Sequence, residues 1–443
     1  MNKWGSMAAT VHHPPLKPPP SGGEVPPTIS RPYLLVIHIP VYVDGDGRRW
    51  VDALWHKDLV LHLDYIGDFT LACPHIHRAP PPGYVSLDGL PIRFIELPRL
   101  GGEIRKVLAA PKVILALWRA VGGADLVHCS VGNWNPLSLG NITFMLAELR
   151  RKFRLIVVES SPWRLLPGRN AGVKDRLTAA ASELVNRLCV STADLSVFTQ
   201  ANYQKTLLTH PERGYVINAS WINESDILPE GAAREAWSRK SKDQRVRFLF
   251  AGRLTPSKGV LDLLAAAKSL EGTGVRIAID IMGAGELREA CVAAQSEGPD
   301  VVVRVLEALE YGPQFLEVLG GYHAVLVPNL SDEQPRIVYD AYAKAVPVLA
   351  SATPGLKDCV DDEVTGRFFA PGSATDLARI MKWAARDIPA LMKLGLAGRR
   401  RAETLTHRQM HSQRHVIIAQ ALSASGRGGG AWASPASGAA SAC

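Results

Sequence analysis

The chain has 443 residues, 47% of them hydrophobic, and a formal net charge of +8, which is enough for two or three domains. No apolar run approaches the ~20 residues that span a bilayer, and the segment after Met1 is proline-rich instead of basic-then-apolar, so the expected location is cytoplasmic. Six widely spaced cysteines without metal-ligand spacing read as reduced, mostly buried thiols. The absence of zinc-finger spacing and of aromatic-interleaved basic runs argues against nucleic acid, while the positive charge suits an anionic nucleotide or an anionic membrane surface.

In chain order, residues 1–30 are rich in proline and read as a disordered leader. The first predicted strand, 33–39, is a continuous apolar run of the kind a sheet covered on both faces requires. A glycine-containing loop, Asp44-Gly45-Asp46-Gly47, follows it, and 55–63 has helical spacing. Further strands are expected at 69–72, 125–129, 154–158, 188–190 and 215–217, with helical patterns between most of them. The helical run 136–148 leads into Arg150-Arg151-Lys152 and Arg154, cations that suit either a solvated helix end or an anionic partner. Residues 230–245, charged and weakly apolar, read as an interdomain linker.

A second series of strands is expected at 246–251, 276–282, 301–305, 324–327 and 346–349. Alternating strands and helices predict an α/β protein with two Rossmann-like, doubly wound parallel-sheet domains, 31–229 and 246–401. A further helical run covers about 402–420, and the Gly, Ala and Ser-rich residues 423–443 read as a disordered tail.

Chemistry concentrates in the second half. Arg253 and Lys258 follow the strand 246–251, with Gly252 and Gly259 allowing close backbone approach. Two fixed cations there suit an anionic ligand, with a loop salt bridge to a nearby carboxylate as the competing reading. Met282-Gly283-Ala284-Gly285 closes a strand before a helix, but it lacks the third glycine of a dinucleotide fingerprint. Asp332 and Asp340 flank seven residues. Asp340 is expected to open a helix, and an ordinary N-cap is its competing reading.

These segments, with Ala341-Tyr342-Ala343, Val346-Pro347-Val348, Pro354-Gly355-Leu356 and Val364-Thr365-Gly366, resemble in order and spacing the C-terminal half of the family-four retaining glycosyltransferases. The likeness is close over 245–385 and loose over the first 225 residues. It implies two domains facing across a cleft (GT-B), with the helix at 402–420 returning to the N-terminal domain. The implied reaction is metal-independent transfer of a sugar from a nucleotide diphosphate sugar, the substrate donor, to a glycan or lipid-linked acceptor in polysaccharide or glycoconjugate synthesis. No cofactor and no metal are implied. Peripheral contact with the inner face of a membrane, through the basic surface of the N-terminal domain, is compatible with this placement.

Residue by residue, the resemblance assigns Arg253 and Lys258 to the diphosphate, Asp332 to the sugar and Asp340 to the ribose. It puts Gly252, Gly283, Gly285, Glu333, Gln334, Pro335, Arg336 and Ile337 around the donor, and Arg304 to Leu306 at the base. Gly45 and Gly47 would approach the diphosphate from the opposite domain. The family usually has glutamate at both acidic positions, glycine and aromatic residues at Pro335 and Arg336, and glycine at Ala345. Many relatives also carry a histidine where Glu159, Ser160 and Ser161 stand here. On the acceptor side the candidates are His128, Asn133, Trp134, Glu159 and Ser160, of which His128 reads first as a core histidine and Trp134 equally as a packing residue. A non-catalytic nucleotide-sugar-binding paralogue and a nucleotide-sugar epimerase of the same architecture are the alternatives.

Overall fold

The computed structural model describes residues 26–98, 103–131, 134–165 and 172–425, with the backbone alone over 103–110. The first domain has β1 (Tyr33–Val36), the short strands β2 (Val41–Val43) and β3 (Arg49–Asp52), α1 (Ala53–Leu63), β4 (Phe69–His77), β5 (Tyr84–Ser86) and β6 (Ile92–Leu97). It continues through α2 (Glu103–Gly122), β7 (Leu126–Ser130), α3 (Leu139–Leu149), β8 (Phe153–Val158), α4 (Val173–Thr192), β9 (Leu195–Phe198), α5 (Ala201–Leu207) and β10 (Gly214–Val216). Its strands run in the order β10-β9-β8-β7-β1-β4-β2-β3-β5, with β6 also paired to β4. The central pairs are parallel, as continuous apolar strands with crossover helices require.

Alternation along β1 divides the core. Tyr33 and Leu35 face α1, whereas Leu34 and Val36 face α2.

The second domain comprises α6 (Glu230–Lys240), β11 (Val246–Ala251), α7 (Val260–Ser269), β12 (Ile277–Met282), α8 (Arg288–Ala293), β13 (Ser296–Glu297), β14 (Val301–Leu306) and α9 (Pro313–Gly320). It closes with β15 (Ala324–Val327), α10 (Ile337–Ala343), β16 (Val348–Ser351), α11 (Pro354–Lys357), β17 (Gly366–Phe369), α12 (Ala374–Arg386) and α13 (Ile388–Ala402). The sheet order is β13-β14-β12-β11-β15-β16-β17, parallel except for β13. The last helix, α14 (His407–Ala424), returns to the first domain, where Met410, Ile417 and Ile418 join its core.

Several expectations are corrected. Residues 230–245 are no linker: they form α6 and the approach to β11, and Trp237, 1% exposed, donates its Nε1–H to the Ala345 carbonyl at 2.9 Å. Residues 188–190 belong to α4, and the strand lies at β9. The ordered chain begins before residue 31, because Ile29 is buried and bridges to Ile66. The loop at 44–47 turns a hairpin between β2 and β3. Asp340 lies inside α10 and caps nothing.

The turn after α10 does require what the commonly glycine position implies. Ala345 has φ of 56°, and two backbone bonds, Val346 N–H to Ala341 at 2.8 Å and Ala345 N–H to Tyr342 at 2.9 Å, close a Schellman motif.

Candidate active site

The site in the second domain starts from a tight turn. Gly259 takes φ of 69°, and a side chain there would collide with the Pro328 carbonyl. This turn sets Lys258 at the wall of a cavity of about 520 Å³, at the carboxyl ends of β11, β12 and β14. Open-sheet proteins bind ligands at that end. Gly283 and Gly285 serve close packing, since a Cβ on either would strike the backbone of Gly252 or Leu254.

Glu333 faces the two cations. Its Oε1 lies 2.6 Å from Lys258 Nζ and its Oε2 4.0 Å from Arg253, and Ser331 donates to Oε1 at 2.9 Å. Burial alone would raise this carboxyl, but Lys258 outweighs it and holds the group below its usual range. At the back of the cavity Asp340 is buried, and Tyr311 donates its hydroxyl proton to Oδ1 at 2.9 Å. Burial pushes the Asp340 carboxyl up to about 7, against the hydrogen bond from Tyr311 and the charges of Arg336 and Lys57.

Asp332 does not face this cavity. Its carboxylate accepts from the Gly355 N–H at 2.9 Å and from the Asn202 amide, and its backbone carbonyl accepts from Tyr203 at 2.7 Å and from Gln200. Asp332 therefore fastens the acidic loop to α5 of the other domain, and burial pushes its carboxyl up.

Across the cleft a second cavity of about 490 Å³ opens at the carboxyl ends of β1, β7 and β8, and Gln334 and Arg336 line both cavities. Glu159 faces it. Enclosure by the surrounding protein pushes this carboxyl up even though the side chain is open to the cavity. Its floor is a buried polar network. Asp58, 5% exposed, accepts from His411 Nε2 at 3.0 Å and His407 Nε2 at 3.1 Å, and the Arg414 guanidinium lies 3.2 Å from His62 Nε2.

Burial alone would raise Asp58, but the imidazoles around it, His62 first, hold it well below the usual carboxylate range. Burial pushes His411 down to about 3. Asp58, His62 and His411 stand close enough together to hold a cation. The His407 and His411 N–H groups that donate to Asp58, with Arg414 beside His62, already complete this set.

Residues 233–401 match the family described as glycosyl transferases group 1. The second domain carries this match, which spans 169 of the 443 residues, and is the group 1 domain of the two. The match begins within α6 and ends on α13. Curated relatives include a glycogen synthase of Thermus thermophilus, 33% identical over 143 residues, and a lipopolysaccharide 1,2-N-acetylglucosaminetransferase of Salmonella typhimurium, 28% identical over 174. These stretches are 32% and 34% of this chain, and 32% and 44% of the relatives, so less than half of either relative's length is matched. Solved structures extend the likeness to the fold of both domains. Sucrose-phosphate synthase of Thermosynechococcus elongatus aligns at TM-score 0.65 and 18% identity, covering 89% of this chain and all of that one. Anabaena HepE in complex with UDP-glucose aligns at TM-score 0.59 and 14% identity, covering 88% and 99%. The architecture is GT-B, two Rossmann-like domains across a cleft.

Within the group 1 domain the structure brings Gly252, Arg253, Lys258, Gly283, Glu333, Gln334, Pro335, Arg336, Ile337 and Asp340 to one cavity. Gly285 supports it from behind. Arg304 and Leu306 remain in β14, with Arg304 paired to Glu297 at 3.0 Å, and Ala308 and Leu309 line the cavity in their place. Opposite the group 1 domain, Gly45 and Gly47 sit in the hairpin turn and line neither cavity.

On that side His128 is a floor histidine that meets the Tyr33 hydroxyl at 2.7 Å, and Trp134 packs in the core beneath α4 with its carbonyl accepting from Ser182 at 2.7 Å. Asn133 lies outside the described residues. Ser160 lines a small cavity shared with Glu159, His38 and Ser130. His38, Ser130, Trp221, Tyr311 and Arg414 were not singled out from sequence. For His38 and Ser130 a signal existed, since both stand at or just beyond the carboxyl end of a parallel strand.

Proposed function

We propose that the protein is a retaining, metal-independent glycosyltransferase that moves a sugar from a nucleoside diphosphate sugar to a glycan or lipid-linked acceptor. The observation that carries this reading is the exchangeable Lys258–Glu333–Arg253 contact at the mouth of a cavity that meets a second, acid-lined cavity. A donor diphosphate would displace the Glu333 carboxylate from the cations, and their charge would then stabilise the phosphate oxygens as the glycosidic bond breaks. Asp340, held by Tyr311, would accept the ribose hydroxyls once its carboxyl gives up the proton that burial favours. Glu333, released, would stand beside the sugar, the part the resemblance gives to Asp332. The acceptor hydroxyl would arrive from the Glu159 side. Retention of configuration rests on the family resemblance.

Incubation with a panel of nucleotide sugars and glycan acceptors, with and without EDTA, tests this. The expected result is acceptor-dependent release of nucleoside diphosphate, unaffected by chelator, with the anomeric configuration kept in the product. Loss of turnover with chelator, restored by magnesium or manganese, would refute metal independence. Glu333 already pairs with Lys258 at 2.6 Å and reaches Arg253 at 4.0 Å, which favours a second reading as a nucleotide-sugar-binding protein. Calorimetric donor binding with no diphosphate release for any acceptor would select it.

A further inference from the structure

Among the described residues, ten of the fourteen large hydrophobic side chains left exposed fall on α2, α3, α4 and the turn before α3. These helices are adjacent, with α3 packed between the other two, so the side chains make one face. Monomeric proteins rarely leave such a patch without a partner.

On α4 the apolar residues are not confined to the buried side. That side mixes Cys189 and Val190 with two polar residues: Ser182 donates to the Trp134 carbonyl at 2.7 Å, and Asn186 accepts from Asn141 at 3.0 Å. Its outward side carries Val173, Leu177, Leu184 and Leu188, between 62% and 75% exposed. At about 100° and 1.5 Å per residue, these four fall within about 60° of the helix surface along roughly 22 Å. Arg176 and Arg187 flank this stripe on one side and Lys174 on the other.

Met145 and Leu149 on α3 and Ile114, Leu115 and Trp118 on α2 continue the face, with the Arg150 guanidinium 3.8 Å from the centre of the Trp118 ring. Lys112, Arg119 and Arg151 are exposed beside them. The acids Glu148 and Glu183 are engaged by Arg154 and Arg164. Arg154 therefore drops out of the basic cluster expected from sequence, while the cations on the helices join it.

We propose that this face docks on an anionic lipid bilayer, with the leucine stripe entering the acyl boundary and the flanking cations meeting the headgroups. No helix among the described residues is long and apolar enough to cross a membrane. Charge decides against a second copy of the chain as the occupant, because a two-fold pairing would set this positive face against itself. The docking does not depend on the transferase reading, since a chain that turned over no sugar would still bind.

The test sediments the full chain with vesicles of phosphatidylcholine alone or mixed with phosphatidylglycerol. The expected outcome is recovery with the anionic vesicles only, and partial release as salt rises. A Leu184→Ser/Leu188→Ser variant, altered only at exposed positions and checked by its melting curve, should lose partition by about tenfold per leucine. An Arg176→Gln/Arg187→Gln variant should lose about fivefold per charge at low salt. Wild-type protein left in the supernatant with anionic vesicles, or wild-type partition of the leucine variant, overturns the proposal. So does a solution dimer that the leucine variant dissociates, because the face would then belong to a second copy.

Discussion

In the group 1 domain the functional groups sit on turns whose conformation is dictated by one or two residues. Gly259 aims Lys258, the loop after Ser331 presents Glu333, and α10 holds Asp340 against Tyr311. In the N-terminal domain the corresponding cavity is floored by groups brought together from opposite ends of the chain, Asp58 and His62 on α1 with His407, His411 and Arg414 on α14. The first arrangement is local and resists sequence change outside it. The second depends on the return of α14, so the N-terminal cavity is organised only when the whole chain has folded.

The largest expected effect breaks the long-range arrangement. Asp58→Ala removes the carboxylate that two imidazoles share and leaves Arg414 buried without its main counter-charge. Breaking a buried ionic set in this way costs about 3–5 kcal/mol. Urea unfolding should show that loss, and α14 should become protease-sensitive before the group 1 domain does. Unchanged stability would mean that Asp58 is dispensable to the docking of α14.

Next in size is a pH effect on the local arrangement. The Asp340 carboxyl is pushed up to about 7 from an ordinary value of 3.8, so the folded protein holds this proton more tightly than the unfolded chain. That stabilisation is complete below about pH 4 and is lost as pH rises through 7. Asp340→Asn should therefore match wild type in stability near pH 4 and exceed it above pH 7, by up to about 4 kcal/mol at 1.4 kcal/mol per pH unit. Its donor affinity should fall at the same time. Melting curves across pH decide this, and a variant less stable than wild type at pH 8 contradicts the burial argument.

The contrast between the halves also explains what the sequence could show. Strands β11 and β15 were legible to the residue, because parallel strands covered on both faces are continuous apolar runs. In the hairpin of β2 and β3 the run is too short to stand out: β2 is a buried stretch of three residues, VYV, and β3 reads RWVD with one buried residue. Residues 188–190 read as a strand because α4 buries Cys189 and Val190 beside polar Ser182 and Asn186 and leaves its leucines exposed, which blurs the usual amphipathic signature. Motif spacing picked out the acidic loop and assigned Asp332 to the sugar, whereas the structure turns the adjacent Glu333 to the cavity. Neighbouring side chains on an extended loop point opposite ways, and only the contacts with α5 settle that Asp332 is the one turned aside.

Lys258→Ala sharpens the local side of the comparison. It should weaken nucleoside diphosphate binding by about ten- to a hundredfold, since a charge-assisted bond is worth about 1.5–3 kcal/mol. Glu333→Gln, which frees both cations, should leave that affinity equal or higher. Calorimetry on the two variants tests the displacement of Glu333 directly, and a parallel loss in both would show that Glu333 itself holds the ligand.

The smallest expected effect is the most discriminating for the acidic pair. Asp332→Asn replaces one acceptor oxygen with a donor in a setting where the Gly355 N–H and the Asn202 amide both donate. The Asn202 side chain can flip and offer its own oxygen, so the loss should be near the lower end of the range for a hydrogen bond, about 0.5–1 kcal/mol. Because the carboxylate is turned from the cavity, kcat should stay within a few-fold of wild type, with any change coming from looser attachment of the loop to α5. Were Asp332 instead to face the charge developing at the anomeric carbon, the same substitution would lower kcat on the order of a hundredfold with little change in stability. Steady-state kinetics and a melting curve on one variant therefore separate a fastener between the domains from a catalytic acid, and a hundredfold fall in kcat would return to Asp332 the role here given to Glu333.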